Sequence, residues 1–417
     1  DVYVDGGYRT LLMGLLGLGG AGMYAMDVTN PASPSFRWAV ENAIFQDYDE
    51  KLLTQNNAKV ILWNKSGNSV SKSEYVHKDI KTANENIDYR ELRFTVSTPF
   101  IGYIPITASG QTTNTWSFIV GNGSSRGIVG EGQIVGVAHI GRVSDGTLIR
   151  NLSSSAAQRF VSPVAVLNEG VRRKIRLFYI GDMGGVIFKG DLSDPNPANW
   201  TDLTQVFQIT AGVGISYSLD AALISGKIWL FAGTGDIEGY LGTQSSNNYF
   251  IAANLTNGAS NQNQLTALDP TDFAEISSNT KGWAMQFTNG ERMSTPPLIY
   301  KGYVFFSTFI PDADPCSPGG TSRLYVLKAD TGAGGWDPET EGGVNPKYIE
   351  LSNIAVGGIS VAADTISVGV TLFGTDEVGD PFTLLGDNLL VTEVPAAVNS
   401  GISFPTGSMQ PFYWKSR

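Results

Sequence analysis

Oxygen donors set in glycine-rich turns are the residues of this 417-residue chain best suited to chemistry. Asp182 in GDMGG, Asp191, Asp194 and Asn196 in GDLSDPNP, Asp236 and Glu238 in GTGDIEG, and Asp312 and Asp314 in PDADP could each ligate a hard cation. Calcium takes about six to eight oxygens, supplied from closely alternating Asp and Asn positions with a glycine at the sharp bend. No stretch here has the full D-x-[DN]-x-[DN]-G pattern, so Asx turns are the better account of each acid. Cys316 is the only cysteine, and a nucleophilic thiolate needs a histidine or another group that lowers its pKa. The two histidines, His77 and His139, are both far from it in sequence. A disulfide within the chain is excluded, while a free thiol or a bond to a residue outside it stays open. His139, in VGVAHIG, reads as a satisfied strand residue and His77 as solvated. No G-x-S-x-G elbow anchors a hydrolase triad. No catalytic or cofactor-binding residue is therefore assigned, and calcium is carried only as a weak alternative. GLGGAG (Gly17–Gly22) matches G-x-G-x-x-G, but MYAMDVTNP after it reads as a strand and turn, whereas a dinucleotide site needs a helix N-terminus there.

These candidates sit in a loose repeat: an apolar run ending in glycine, a turn, a second apolar run, then Asp or Asn and another turn. Copies span Thr10–Pro31, Trp116–Gly146, Lys174–Pro195, Lys227–Gly258 and Gly302–Gly332. Each reads as a β-hairpin. The last four copies start 58, 53 and 75 residues apart, which suits a four-stranded blade with variable loops. The expected fold is all-β, a β-propeller of about seven blades. Ala39–Arg90, with the helix-like AVENAIFQDYDEKLL and a long polar stretch, lacks the repeat and is expected to be a mixed insertion after the first copy, on the rim. The strand-rich end from Tyr348 onward is expected to close the ring.

Lys and Arg number 28 against 39 Asp and Glu, a net charge of -11, which argues against nucleic acid or an anionic membrane as main partner. The 49 glycines exceed the roughly 30 of average usage and fit a turn-rich chain. Leu11–Met26 is too interrupted by glycine for a membrane span, and no transmembrane segment is expected. The eight tryptophans are spread along the chain as packing residues would be. The chain starts at Asp1 and reads as part of a longer or processed product, with any export signal ahead of it.

The segment GERMSTPPLIYKGYVFFSTFIPDADPCSPGGTSRLYVLKADTG (Gly290–Gly332) closely resembles one near the C-terminal end of the PilY/PilC proteins, type IV pilus biogenesis factors and tip-associated adhesins. Gly290, Glu291, Arg292, Pro296, Pro297, Asp314, Cys316, Gly319 and Gly320 carry the signature. TLLMGLLGLGGAGMYAMDVTNP, TVSTPFIGYI, WSFIVGNGSSRG, FVSPVAVLNEG, RLFYIGDMGGVIFKGDL and FAGTGDIEG are similar to the family's motifs in order, with 39–90 outside the likeness. The resemblance implies a C-terminal β-propeller of the quinoprotein-like kind over residues 1–417, preceded in the full protein by an N-terminal region absent from this chain. It implies a non-enzymatic, exported bacterial protein at the cell surface, outer membrane or pilus tip. Such a protein promotes pilus extension, opposes retraction and attaches to host cells or abiotic surfaces, with minor pilins and the pilus tip as partners. Many members hold calcium in an acidic loop. Here that loop reads LNEGVRRK, where Asn168 and Glu169 face three cations, Arg172, Arg173 and Lys174, so the site is not carried over. Two alternatives remain: a quinone-dependent dehydrogenase of the same architecture, or a carbohydrate-binding propeller using loops such as GTQSSNNYF.

Overall fold

The computed structural model describes residues 1–42, 59–76, 88–124, 135–167, 173–209, 213–235, 247–278, 280–312, 319–336, 345–352, 354–362, 365–375 and 381–391. Among these there is no α-helix, only strands, turns and short 3-10 segments. The chain divides into two units: residues 1–168, 173–183 and 188–205, and residues 169–172, 184–187 and 206–417.

The first unit opens with the hairpin β1 (Val2–Val4) and β2 (Gly7–Arg9). A five-stranded sheet follows in chain order: β3 (Leu11–Leu15), β4 (Gly22–Asp27), β5 (Ser35–Asn42), β6 (Lys59–Ser66) and β7 (Ser69–Val76). A four-stranded sheet comes next, from β8 (Phe100–Ala108), β9 (Gln111–Gly121), β10 (Gly136–Arg142) and β11 (Leu148–Ser154). Between these sheets lies a core of Met23, Trp38, Val40, Leu62, Tyr89, Leu92, Phe118 and Val120. A further sheet of β12 (Ala165–Leu167), β13 (Leu177–Gly181), β14 (Val186–Asp191) and β15 (Thr204–Gln208) is divided between the units.

In the second unit β16 (Asp220–Ile224), β17 (Lys227–Gly233) and β18 (Asn248–Asn254) form an antiparallel run. Beyond β18 the order is β20 (Gly282–Phe287), then β19 (Thr266–Leu268), which pairs parallel to β20 at the sheet edge. The next sheet holds β21 (Arg292–Met293), β22 (Leu298–Tyr300), β23 (Tyr303–Pro311), β24 (Gly320–Lys328) and β25 (Tyr348–Ser352). A last sheet is β26 (Ile354–Ala362), β27 (Thr365–Thr375) and β28 (Pro381–Val391), so the strand character expected after Tyr348 is present.

The five repeat copies fall on five pairs of sequential, neighbouring strands: β3–β4, β9–β10, β13–β14, β17–β18 and β23–β24. Their glycines serve close approach as well as turning. A Cβ at Gly14 would lie 2.3 Å from the Tyr24 ring, at Gly141 2.3 Å from Phe118, and at Gly190 2.1 Å from Phe178. In each case an aromatic on the adjoining strand lies over the bare backbone, which restores packing that glycine would otherwise lose. GLGGAG forms the β3–β4 turn and the first residue of β4, so no helix N-terminus exists there to receive a pyrophosphate.

Where it is described, Ala39–Arg90 is strand and strap continuing the first sheet, not the mixed insertion its composition suggests. Ala39–Asn42 end β5, and Lys59–Val76 are the β6–β7 hairpin continuing the same sheet around a turn at Gly67, whose φ is +60. The strand signal was hidden because β7 is an edge strand written in Ser, Lys and Glu, polar residues that protect an exposed ladder. Residues 88–95 then form a strap across the five-stranded and four-stranded sheets of this unit. Asn42 Nδ2 donates to Arg90 O (2.9 Å) and Leu92 O (2.8 Å), and Asn151 Nδ2 donates to Asp88 O (2.8 Å). Tyr89 OH donates to Gly146 O (2.9 Å), Arg93 N to Asn122 O (2.7 Å), and Thr95 Oγ1 to Gly22 O (2.6 Å).

Trp38, Trp200, Trp229, Trp283 and Trp336 are buried and Trp63 and Trp116 half-buried, as packing residues; Trp414 lies outside the described residues.

Candidate functional site

The signature segment holds a buried polar cluster of the second unit, and its chemistry follows from its turn. Asn289 and Gly290 both take positive φ, +55 and +74, and hand the chain into β21 with the Glu291 side chain turned inward. Glu291 is 2 % exposed. Its Oε1 accepts from Thr308 Oγ1 on β23 (2.6 Å) and Tyr325 OH on β24 (3.0 Å), and its Oε2 accepts from Arg323 NH1 on β24 (2.8 Å). Arg323 continues the chain of charge, donating from Nε (3.0 Å) and NH2 (2.9 Å) to Glu350 Oε1 on β25, with its guanidinium 4.6 Å from the Tyr348 ring centre. The Glu291 carbonyl accepts from Asn248 Nδ2 (2.8 Å), and Ser294 and Ser307 join hydroxyls at 2.8 Å.

Burial pushes the Glu291 carboxyl above its usual range, against the pull of Thr308, Arg323 and Tyr325. Burial raises the Tyr325 phenol as well, and the Glu291 charge adds to it. A carboxylate held by three donors on two neighbouring strands acts as a fastener, because most of its roughly four lone-pair sites are already committed. The other signature residues shape the same region. Arg292 is buried, and its backbone faces Phe309 across the β21–β23 ladder. Pro296 is exposed and Pro297 buried in the turn into β22. Asp312 N donates to Gly319 O (3.1 Å), and a Cβ at Gly320 would lie 2.4 Å from the Phe309 ring. Asp314 and Cys316 lie outside the described residues.

Asp182 is buried, and its Oδ2 accepts from Gln158 N (2.8 Å). Asp191 accepts from Ser193 N (3.0 Å), and Asp194 from Asn196 N (2.8 Å) and Asn199 Nδ2 (2.9 Å), bonds that hold Asp194 below the usual carboxylate range. Asn196 accepts from Ala198 N (3.1 Å), so this run is a series of Asx turns. Asp236, Glu238, Asn168, Glu169, Arg172 and His77 lie outside the described residues. Arg173 is described: its φ is +63, NH1 donates to Asp1 O (3.0 Å), and its guanidinium lies 5.9 Å from the Trp116 ring centre. Among the described residues, no group of three or more His, Cys, Asp or Glu side chains gathers in a way that could hold a metal. No described helix is long and apolar enough to cross a membrane.

One charged residue gave no sequence signal. The Lys347 side chain is fully buried, and Nζ donates to Asp269 O (2.8 Å) and Asp272 Oδ1 (2.7 Å). It pins a loop of two consecutive Asx turns, Asp269 to Thr271 and Asp272 to Ala274. Lys347→Met is expected to speed amide exchange over 269–274 while moving the global unfolding free energy by no more than about 1 kcal/mol, since relief of ammonium desolvation offsets the lost bonds. Exchange mass spectrometry beside a urea titration checks both halves.

No protein-family model matches the chain. Two curated relatives from Xylella fastidiosa (strain Temecula1), both described as type IV pilus biogenesis factor PilY1 homologues, are 23% identical to it. One aligns over 387 residues, covering 80% of this chain and 22% of the relative; the other over 391 residues, covering 86% and 27%. The chain thus spans about a quarter of the length of the curated relatives it matches. The crystal structure of the Pseudomonas aeruginosa PilY1 C-terminal domain superposes with a TM-score of 0.60 at 15% identity, covering 95% of this chain and 82% of that one. The fold is the all-β, propeller-like one of that domain. In sequence, over most of its length, the chain is thus similar to PilY1 homologues, and in fold to the PilY1 C-terminal domain, in line with the family that its motif order resembles.

Proposed function

We propose that this chain is the propeller-like part of a type IV pilus biogenesis factor that acts without catalysis, promoting pilus extension and opposing retraction. The observation that supports it most is the alignment with pilus biogenesis factors over 80% and 86% of the chain. In this reading the protein works at the cell surface or pilus tip, contacts minor pilins, and presents loops to a host cell or an abiotic surface. The chemistry of Glu291 agrees with a structural role, since its carboxylate is committed to Thr308, Tyr325 and Arg323.

Deleting the gene is expected to remove surface pili, and disabling retraction in the same strain to restore them in part. Unchanged pilus numbers in the deletion would overturn the assembly role. Incubation with a quinone cofactor, alcohol and a redox dye tests the non-catalytic half separately: no dye reduction is expected, and sustained turnover would make the chain an enzyme.

A further inference from the structure

His139 lies in the middle of β10 at 0% exposure, opposite Asn151 on β11. Its Nδ1 is 2.7 Å from Asn151 Oδ1, and the orientation of that amide is fixed because Asn151 Nδ2 donates to Asp88 O. The oxygen therefore faces the ring, Nδ1 carries the proton, and Nε2 holds a bare lone pair. That Nε2 is buried with no hydrogen-bond partner. The ring packs against Tyr89, centre to centre at 5.4 Å, and Tyr89 and Asp88 belong to the 88–95 strap.

We propose that His139 and the 88–95 strap form an acid-released latch: the neutral imidazole closes it, and a proton on Nε2 opens it. A second proton can enter only at Nε2, where no acceptor awaits it, so an imidazolium must reach water by displacing Tyr89 and Asp88. The one charge that acts on the ring is that of Arg93, which opposes a second proton. From the strap come Asp88, whose Oδ2 is paired to Arg90 at 2.7 Å while its buried Oδ1 has no hydrogen-bond partner, and Arg93, paired to Glu91 at 3.4 Å. From β11 comes Arg150, and near Tyr89 stands Asp145; residues 117–121 of β9 carry no ionisable side chain. Burial pushes His139 down from 6.5 to about 4, with the Asn151 bond opposing and Arg93 reinforcing the shift. The sign follows. A histidine lowered by folding favours the closed strap fully above its ordinary value, and that contribution is lost as pH falls toward the folded value.

With two histidines in the chain, the imidazole Cε1 protons of the whole protein give two NMR signals, and His139→Gln identifies the one from His139. The expected result is a His139 signal that stays neutral well below the ordinary range. Once corrected for intrinsic rate, amide exchange over 88–95 should rise about tenfold or more between pH 7 and about 4.5. In His139→Gln that acid response is expected to vanish while exchange in β9 and β10 stays slow. An ordinary titration of His139, or the same acid response in His139→Gln, overturns the latch. If His139→Gln does not fold, Tyr89→Phe decides: losing the bond to Gly146 O loosens the strap, so release moves to higher pH, and an unmoved midpoint refutes the proposal.

Discussion

Glu291→Ala lowers the unfolding free energy of its unit by about 3–5 kcal/mol, the cost typical of breaking a buried pair from one side. The magnitude follows from what remains. Arg323, with a side chain 19% exposed, keeps as its ion-pair partner Glu350, which is itself 51% exposed, beside the Tyr348 ring, while the hydroxyls of Thr308 and Tyr325 lose their Glu291 acceptor. Removing both charges together tells the pair from mere packing. Glu291→Leu with Arg323→Met is expected to recover most of the loss, because two apolar side chains leave no unpaired buried charge. Urea midpoints at constant m-value measure each variant; a single replacement costing under about 1 kcal/mol would show that the network is ornamental.

Phe306→Ala is expected to cost about 3–5 kcal/mol, as buried Phe to Ala changes do, with stacking adding to the loss of apolar burial. Phe306 is fully buried between Phe250, 3.9 Å away and 7° from parallel, and Tyr325, 4.6 Å away and 7° from parallel, with Phe287 at 6.5 Å. The same Tyr325 holds Glu291, so the two sites share a member. Combining Phe306→Ala with Glu291→Ala is therefore expected to fall short of the sum of the two losses, since Tyr325 can be released only once. A thermal or urea series across the four proteins of the cycle reads this out, and strict additivity would separate the core from the ion pair.

The repeat was legible because each copy carries its own evidence: an apolar run, a turn glycine and a second run, which map onto β3–β4, β9–β10, β13–β14, β17–β18 and β23–β24. GLGGAG was resolved by what followed it, since MYAMD is a strand-forming run that becomes β4. The β6–β7 hairpin was missed for the opposite reason. KVILWNKS is apolar enough, but its partner SVSKSEYV is mostly exposed, with Ser69, Ser71 and Ser73 on one face and Lys72 and Glu74 on the other, and edge strands are under little pressure to look like strands. In the signature segment, Glu291 could be named from resemblance, yet its partners Thr308, Arg323 and Tyr325, and Glu350 beyond Arg323, are separated from it in sequence by intervening strands. Only pairing in register brings them together. Lys347 left no trace in sequence, because a lysine after Asn-Pro reads as solvated, and its burial depends on a loop more than 70 residues earlier. His139 was half legible: a strand histidine bonded at Nδ1 is ordinary, but the bare Nε2 depends on how the strap crosses the sheet.

The short parallel strand β19 bears on how this protein avoids sticking to itself. Without it, β20 would present GWAMQF as the outer rim of its sheet, a six-residue run with no charge and no proline, the composition that seeds cross-β stacking between chains. Thr266, Ala267 and Leu268 occupy part of that ladder from the side, pairing with Trp283, Ala284 and Met285. The shield is also earlier in the chain than the segment it covers, so in any N-to-C emergence the guard is in hand before the hazard appears. That ordering is a safeguard against fibre growth, obtained with three residues.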